Sequence, residues 1–166
     1  MSTDNTAKMK MEKVQAALDE YELRIGLPAT DTPPCESDEL NNYLVMSRDA
    51  INSLSPSLCD EIAVRLTQAG IYIRRLLNKE KSRISWTNIE ICRYACDKLY
   101  TVGGKYDKYD VKVELIAKTD SYLFSLLQIR SYSQQRVDRL LGLTEDLNSL
   151  KFTYLEVKKT KIKEGQ

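Results

Sequence analysis

Apolar side chains recur at helical spacing along most of the chain, beginning near the N-terminus. Residues 8–24 show this spacing, which predicts a short amphipathic helix, and Gly26 follows as a helix stop. The next ten residues, from Leu27 to Glu36, contain three prolines and are typical of a linker. We therefore expect the first helix to be an arm that is tethered to the rest of the chain rather than packed against it.

Two further helix starts are marked by capping residues. Ser37, followed by two acidic residues, predicts a helix that runs to about Ser55. Ser55 and Pro56 then predict the start of a long helix, because serine is a favoured N-cap and proline a favoured first helical residue. The pattern continues to Val102, about 45 residues in all, with a kink or short break near residues 82–85 left open.

The clearest turn signal is the pair Gly103-Gly104. Helical spacing resumes after it and continues to Leu150, which predicts a second long helix that returns antiparallel to the first. Residues 152–157 alternate apolar and polar side chains and are interpreted as a short strand or a frayed helix end. The predicted fold is all-α: a long antiparallel helical hairpin with an N-terminal helical arm, oligomerising.

The predicted boundaries are residues 1–36 for the arm and linker, 37–157 for the helical core and 158–166 for a basic, flexible tail. The two long helices carry more apolar surface than one hairpin is expected to bury, which favours a homo-oligomer. The side chains assigned to contacts between copies are Leu123, Leu126, Leu127, Val137, Leu140 and Leu141.

Composition argues against catalysis and against a metal or cofactor site. The chain has no histidine, the residue most used as a general base near neutral pH and the commonest metal ligand. No phosphate-binding loop, dinucleotide fingerprint, nucleophile elbow or zinc-protease motif is present. The four cysteines form no close pair of the metal-binding type, and they are interpreted as reduced, with Cys92 and Cys96 buried. We expect a protein that is not an enzyme.

Charge and hydropathy favour a cytoplasmic protein with an anionic partner. No stretch reaches the roughly 18 apolar residues of a membrane span, and no export signal is seen at the N-terminus. The net charge is +1 over 166 residues. Basic residues are concentrated between residues 72 and 83, where five cations oppose Glu80 alone. This stretch is either a phosphate-contacting face or a solvated face that forms ion pairs with the acidic N-terminal helix.

Tyrosines lie beside basic residues on both sides of the glycine pair. Stacking of bases on aromatic rings suits single-stranded nucleic acid and tolerates any base sequence. The alternative is that these tyrosines border the core with the hydroxyl in water. The predicted nucleic-acid-binding residues are Arg74, Arg75, Lys79, Lys81, Arg83, Arg93, Lys98, Lys105 and Lys108.

Residues 70–157 resemble the UvsY family of phage recombination mediators. The resemblance lies in the order of four features: the apolar-basic segment Ile71–Lys79, the segment Leu99–Gly104, the segment Lys112–Asp120, and a final long helix with Leu126, Leu127 and Leu140. It implies a non-enzymatic mediator that forms a ring-like homo-oligomer and binds single-stranded DNA. Arg93 and Lys98 match the place of the family's basic DNA-binding element before the glycine turn.

The resemblance also implies the partners. A mediator of this family helps a RecA-type recombinase displace a single-strand-binding protein and begin its filament in the host cytoplasm. The competing hypothesis is a helical structural or adaptor protein, such as a virion or scaffold component, that binds only protein. Both hypotheses share the helical fold and the homo-oligomer, and they differ in affinity for DNA.

Overall fold

The computed structural model describes residues 3–26, 33–34, 36–104, 106–163 and 165, and within these ranges it contains helices and no strand. This confirms the all-α prediction. The linker prediction for residues 27–36 falls largely outside the described residues. The helices are α1 (Thr3–Arg24), α2 (Ser37–Val45), α3 (Arg48–Ser53), α4 (Pro56–Ala95), α5 (Tyr109–Ala117) and α6 (Ser121–Lys163).

The start of α4 is the one that the sequence predicted. Pro56 is its first residue, and the Ser55 hydroxyl accepts a hydrogen bond from the Leu58 N–H at 3.2 Å. The helix is continuous through residues 82–85, so the short break left open there does not occur. It ends at Ala95 after 40 residues, earlier than the predicted Val102, because residues 96–101 form tighter turns.

Two predicted helices are each divided by an unforeseen cap. The helix predicted over residues 37–55 is α2 and α3, because the Ser47 hydroxyl accepts the Ala50 N–H and starts a new helix. The predicted return helix is α5 and α6, because the Asp120 carboxylate accepts the Leu123 N–H at 3.1 Å. Ser37 is the first residue of α2 rather than its cap, a position occupied by Glu36.

The chain divides into two compact units. Unit 1 comprises Met1–Ala29 and Asn78–Val137, and unit 2 comprises Thr30–Leu77 and Asp138–Gln166. Both α4 and α6 therefore contribute residues to each unit. Within unit 1 the two helices are antiparallel: Glu80 pairs with Arg136, and further along α4 Glu90 accepts a hydrogen bond from Tyr122. The predicted hairpin is confirmed.

The core of unit 1 is built from four helices. Ile91 and Ala95 of α4 pack with Val113 and Ile116 of α5 and with Leu123 and Leu126 of α6. Ala7 of α1 is buried in the same cluster, so α1 packs against the unit and is not merely tethered. Lys10 strengthens this contact, because its ammonium donates hydrogen bonds to Tyr122 at 3.0 Å and to Glu90 at 3.4 Å.

The core of unit 2 joins the first half of α4 to the last half of α6. Its buried residues include Ile62 and Leu66 of α4, Ile51 of α3, and Leu147 and Tyr154 of α6. Residues 152–157, interpreted from sequence as a strand or a frayed end, lie inside α6. Residues 158–163 of the predicted basic tail also belong to this helix, and Lys158 pairs with Asp60 at 2.5 Å.

The Gly103-Gly104 turn depends on one acidic side chain. The Asp107 carboxylate accepts a hydrogen bond from the Gly104 N–H at 2.5 Å and so closes the turn before α5. Gly103 has φ +79°, in the left-handed region that glycine adopts without strain. A Cβ added at Gly103 would stand 2.8 Å from Asp107 Oδ2. The turn therefore requires glycine at this position.

The glycine inside α6 has no comparable role. A Cβ added at Gly142 would meet no atom within 4 Å, and glycine in a helix interior costs about 0.5 to 1 kcal/mol relative to alanine. Gly142→Ala is therefore expected to raise the free energy of unfolding by that amount in urea titrations followed by circular dichroism. Gly103→Ala is the matched control and should lower it. Equal free energies of unfolding for the two variants would contradict the conclusion that the turn requires Gly103 and that α6 does not require Gly142.

Candidate nucleic-acid interface

Two tyrosines beside the glycine turn expose nearly their whole side chains. Tyr100 is 94% exposed and Tyr106 is 91% exposed, on either side of Gly103 and Gly104. Tyrosine in a helical protein is more often half buried at the edge of the core. Rings held in solvent at a turn are positioned to stack on a flat, unsaturated ligand such as a nucleic-acid base. We refer to residues 96–108 as the turn segment.

Other tyrosines near the turn segment serve the core. The rings of Tyr94 and Tyr122 meet edge to face with centroids 4.7 Å apart, and the Lys98 ammonium lies 4.1 Å from the Tyr94 centroid. Some of the neighbouring cations and aromatic rings that suggested nucleic-acid binding in the sequence therefore contact each other within the protein. Tyr94 borders the core, as the alternative predicted, but its hydroxyl donates to Asp120, and Tyr122 is buried in the core. Tyr100 and Tyr106 do not border the core.

Asp120 joins the end of α4 to the start of α6. Its carboxylate accepts hydrogen bonds from Lys98 at 2.5 Å and from the Tyr94 hydroxyl at 2.9 Å, in addition to the Leu123 N–H. Burial alone would raise the pKa of the Asp120 carboxyl, but these hydrogen bonds outweigh burial and hold that pKa below its ordinary value. Its stabilising effect is therefore present at neutral pH and is lost as the pH falls through the lowered pKa. Asp120 fixes the helix end from which the turn segment projects.

The predicted basic residues are divided between the two units. Arg74 and Arg75 belong to unit 2, and the others that the structure describes belong to unit 1. Lys105 lies outside the described residues. Those with exposed side chains are Arg74, Lys81, Arg93 and Lys108, and those half buried are Arg75, Lys79, Arg83 and Lys98.

Three of the half-buried cations have acidic partners within unit 1. Lys79 pairs with Asp19 of α1 at 3.2 Å, as the ion-pair alternative predicted, and Lys98 pairs with Asp120. Arg83 pairs at 2.6 Å with Glu80. Through these contacts, Lys79, Arg83 and Lys98 stabilise unit 1. Of the predicted basic residues that the structure describes in unit 1, Lys81, Arg93 and Lys108 are the exposed ones that remain for a ligand.

Glu80 is the centre of a charged cluster that the sequence did not reveal. Its side chain is buried, and one carboxylate oxygen accepts from Arg83 at 2.6 Å and from Arg136 at 3.2 Å. Glu80 Oε2 and Arg83 Nε have no hydrogen-bond partner in the part of the chain that is described. Arg83 and Arg136 are 53 positions apart in the sequence, so no local pattern signals the cluster.

The residues assigned to contacts between copies are largely used inside the protomer. Leu123, Leu126 and Val137 are buried, and Leu127 and Leu140 are half buried against the two cores. Leu141 alone among the six is exposed. The first three are therefore unavailable to a second copy. Leu123 and Leu126 are buried in the core of unit 1 together with residues of α1, α4 and α5. The homo-oligomer itself stays a prediction.

Two cysteines differ from their interpretation as buried residues. Cys92 and Cys96 are both exposed, and the Cys96 thiol donates to the Arg93 carbonyl at 3.0 Å. Cys59 is buried in the core of unit 2. Cys35 lies outside the described residues.

Comparisons with known proteins give no match: no family model, curated protein or solved structure is significantly similar to the chain. The resemblance to phage recombination mediators therefore stays a prediction from the sequence. No helix in the described ranges has both the length and the apolar character needed to cross a membrane. The geometry of the turn segment is thus the main guide to function.

Proposed function

We propose that the chain binds single-stranded DNA through the turn segment and acts as a recombination mediator, helping a RecA-type recombinase load onto DNA coated by single-strand-binding protein. The observation that supports this most is the near-complete exposure of Tyr100 and Tyr106 on either side of the glycine turn that Asp107 closes. Each ring offers a face on which a base can stack, whatever the base sequence.

Exposed cations of unit 1 supply the phosphate contacts in this proposal. Arg93 lies in the last turn of α4, and Lys108 precedes α5 at the other end of the turn segment. Lys81 adds a third exposed cation on α4. Asp97 and Asp110 stand close by in sequence and offset part of this charge. We therefore expect modest affinity from one protomer, which a homo-oligomer raises by binding one strand at several sites.

The second candidate function is a helical adaptor that binds only protein. It is favoured by the internal pairing of Lys79, Arg83 and Lys98, which removes three of the predicted cations from a DNA surface. It is also consistent with the exposed apolar side chains on α1. The two candidates differ in one measurable property, which is affinity for a single strand at physiological salt.

The deciding experiment is fluorescence anisotropy of a labelled single-stranded oligonucleotide across a salt series. The double variant Arg93→Ala/Lys108→Ala is expected to bind more weakly. The slope of log affinity against log salt should also become shallower by about 1.4, because each phosphate contact to a single strand contributes about 0.7. Lys159→Ala/Lys163→Ala removes the same charge from exposed positions of unit 2 and is expected to leave the slope unchanged.

If the wild type does not bind the oligonucleotide at physiological salt, the DNA-binding proposal is overturned in favour of the adaptor. If the two double variants weaken binding equally, the position of the positive charge does not matter. That result would also count against the turn segment as the binding site. Mediator activity is then measured as a shorter lag before a RecA-type recombinase assembles on DNA coated by single-strand-binding protein.

A further inference from the structure

Unit 1 contains a cleft of about 470 Å³ that lies between α1, α4 and α6. Its volume is within the range of about 300 to 1,000 Å³ that is usual for small-molecule sites. One face of α6 forms much of the lining, through residues 125, 128, 129, 132, 133 and 136. The residues that line the cleft lie outside the turn segment, so the cleft is distinct from the surface proposed to bind DNA.

Two arginines supply the positive charge of the cleft. Arg83 and Arg136 both line it, and both bond to the same oxygen of Glu80, at 2.6 and 3.2 Å. One carboxylate therefore serves two guanidinium groups, and two positive charges and one negative charge leave a net charge of +1. The Arg136 side chain is 57% exposed. A guanidinium has five N–H donors, so Arg136 retains donors for a ligand.

Hydrogen bonding around the two arginines is incomplete within the described part of the chain. Arg83 Nε and Glu80 Oε2 are buried without a partner there, so Glu80 does not satisfy the arginine pair by itself. Ser133 is 2% exposed and lines the same cleft, and its hydroxyl makes no hydrogen bond to a described residue. Buried polar groups are normally hydrogen-bonded. The Ser133 hydroxyl and the donors of Arg136, one helical turn apart on α6, are therefore suited to a polar ligand.

The rest of the cleft offers apolar side chains and no net charge. Met11 and Ile129 are half buried, and Tyr132 is an exposed ring that lines the same space. Lys8 and Glu12 also line the cleft, but they pair with each other at 3.9 Å. A nucleic-acid strand carries a negative charge at every phosphate and would find one cationic end only. A ligand with one anionic group and an apolar body is the better match.

We propose that this cleft binds a ligand that carries one carboxylate on an apolar body. The carboxylate bonds to Arg136 and to the Ser133 hydroxyl, and the apolar body lies against Met11 and Ile129. A planar carboxylate matches the paired N–H groups of a guanidinium. A single negative charge balances the net charge of +1, whereas a doubly charged phosphate would be repelled by the neighbouring carboxylate of Glu80.

Two sources present this chemistry, a small carboxylic acid and the C-terminal residue of a peptide. Both carry a carboxylate next to an apolar group, and the probes below distinguish them. The inference goes beyond the proposed function, because it assigns a second ligand to a different surface of unit 1.

The first test is an NMR titration of the full chain with N-acetyl-phenylalanine, observed at the methyl group of Met11. N-acetyl-phenylalaninamide is the matched neutral probe. The acid is expected to shift the Met11 signal to saturation, and the amide is expected to bind at least tenfold more weakly, because it has no charge to bond to the arginines. An equal response to the two probes, or no response to either, would overturn the proposal.

The peptide acetyl-Ala-Ala-Ala-Phe then separates the two sources. An affinity at least tenfold above that of N-acetyl-phenylalanine identifies a peptide C-terminus as the ligand, because residues before the last then add contacts. Equal affinity identifies a small acid. A peptide that binds as well when its C-terminus is amidated would overturn the assignment of the carboxylate to the arginines.

The second test changes the arginine. Arg136→Gln is expected to weaken binding of the acid at least tenfold and to leave binding of the amide unchanged. Arg139→Gln is the matched control, since Arg139 is exposed on the same helix and is not among the residues that line the cleft. It should bind both probes like the wild type. Equal losses for the two variants would overturn the proposal, and circular dichroism establishes that both keep their helix content.

A single-stranded oligonucleotide distinguishes this site from the proposed DNA surface. Added in excess, it is expected to leave N-acetyl-phenylalanine bound, and Arg136→Gln is expected to keep wild-type affinity for the strand. Displacement of the acid by the oligonucleotide would overturn the assignment to a carboxylate ligand. If the chain binds the acid but no strand, the DNA proposal fails and the cleft assignment stands.

Discussion

Replacing Tyr154 with alanine is expected to lower the free energy of unfolding by about 3 to 5 kcal/mol, the usual cost of removing a large buried ring. Tyr154 is wholly buried in the core of unit 2, among residues of α3, α4 and α6. Its hydroxyl donates to the Tyr43 carbonyl at 3.2 Å, and burial raises the pKa of that hydroxyl. The ring thus joins the last half of α6 to α2.

Two further variants distinguish the contribution of the buried ring from that of an exposed ring and from that of the Tyr154 hydroxyl. Phe152→Ala removes a ring of similar size from the same helix, but Phe152 is 62% exposed, so we expect a change within about 0.5 kcal/mol. Tyr154→Phe keeps the ring and leaves the Tyr43 carbonyl without its donor, at a cost of about 1 kcal/mol. The measurement is urea unfolding followed by helical circular dichroism. Similar losses for Tyr154→Ala and Phe152→Ala would show that the ring is not a core residue.

The hairpin could be predicted from the sequence because its signals are local. Pro56 after Ser55 specifies a helix start that the structure confirms, since both residues act through the backbone of the next turn. Gly103 specifies the turn because its φ is one that other residues adopt only with strain. The apolar spacing between these two signals has the helical period, which fixes the type of element irrespective of its partner.

The divisions between α2 and α3 and between α5 and α6 could not be predicted with the same rules. Ser47 and Asp120 are surface-compatible residues that a helix interior also tolerates, and the apolar spacing continues across both. At Asp120, tertiary contacts contribute to ending the helix. Asp120 accepts hydrogen bonds from Lys98 and Tyr94, which lie more than 20 positions away, and this favours its conformation as a cap.

The candidate site was only partly predictable for a related reason. The sequence places tyrosines and cations beside the glycine turn, but it does not show which of them the fold uses internally. Lys98 is drawn to Asp120, and Lys79 is drawn to Asp19 of a helix 60 positions away. Likewise, Leu123 and Leu126 were predicted to be surplus apolar surface. They pack against α1 and α5, and no local sequence pattern predicts that contact. Exposure, which decides what can bind, depends on these distant contacts.

Tyr100→Ala/Tyr106→Ala is expected to weaken single-strand binding by at least about 30-fold, while leaving its salt dependence unchanged. Base stacking on one ring contributes about 1 to 3 kcal/mol, and each 1.4 kcal/mol is tenfold in affinity. The salt slope should stay constant, because neither change removes a charge that contacts phosphate. Both rings are more than nine-tenths exposed, so their loss should not alter the core of unit 1.

The control for this experiment is Tyr132→Ala, since Tyr132 is an exposed tyrosine of unit 1 on α6, away in sequence from the glycine turn. It should bind the strand like the wild type. Fluorescence anisotropy at a single moderate salt concentration gives the affinities, and the salt series gives the slopes. A loss of affinity accompanied by a shallower slope would mean that the changes had moved the cations rather than removed stacking. Unchanged affinity would exclude the two tyrosines as a stacking platform, whatever the contribution of Arg93 and Lys108.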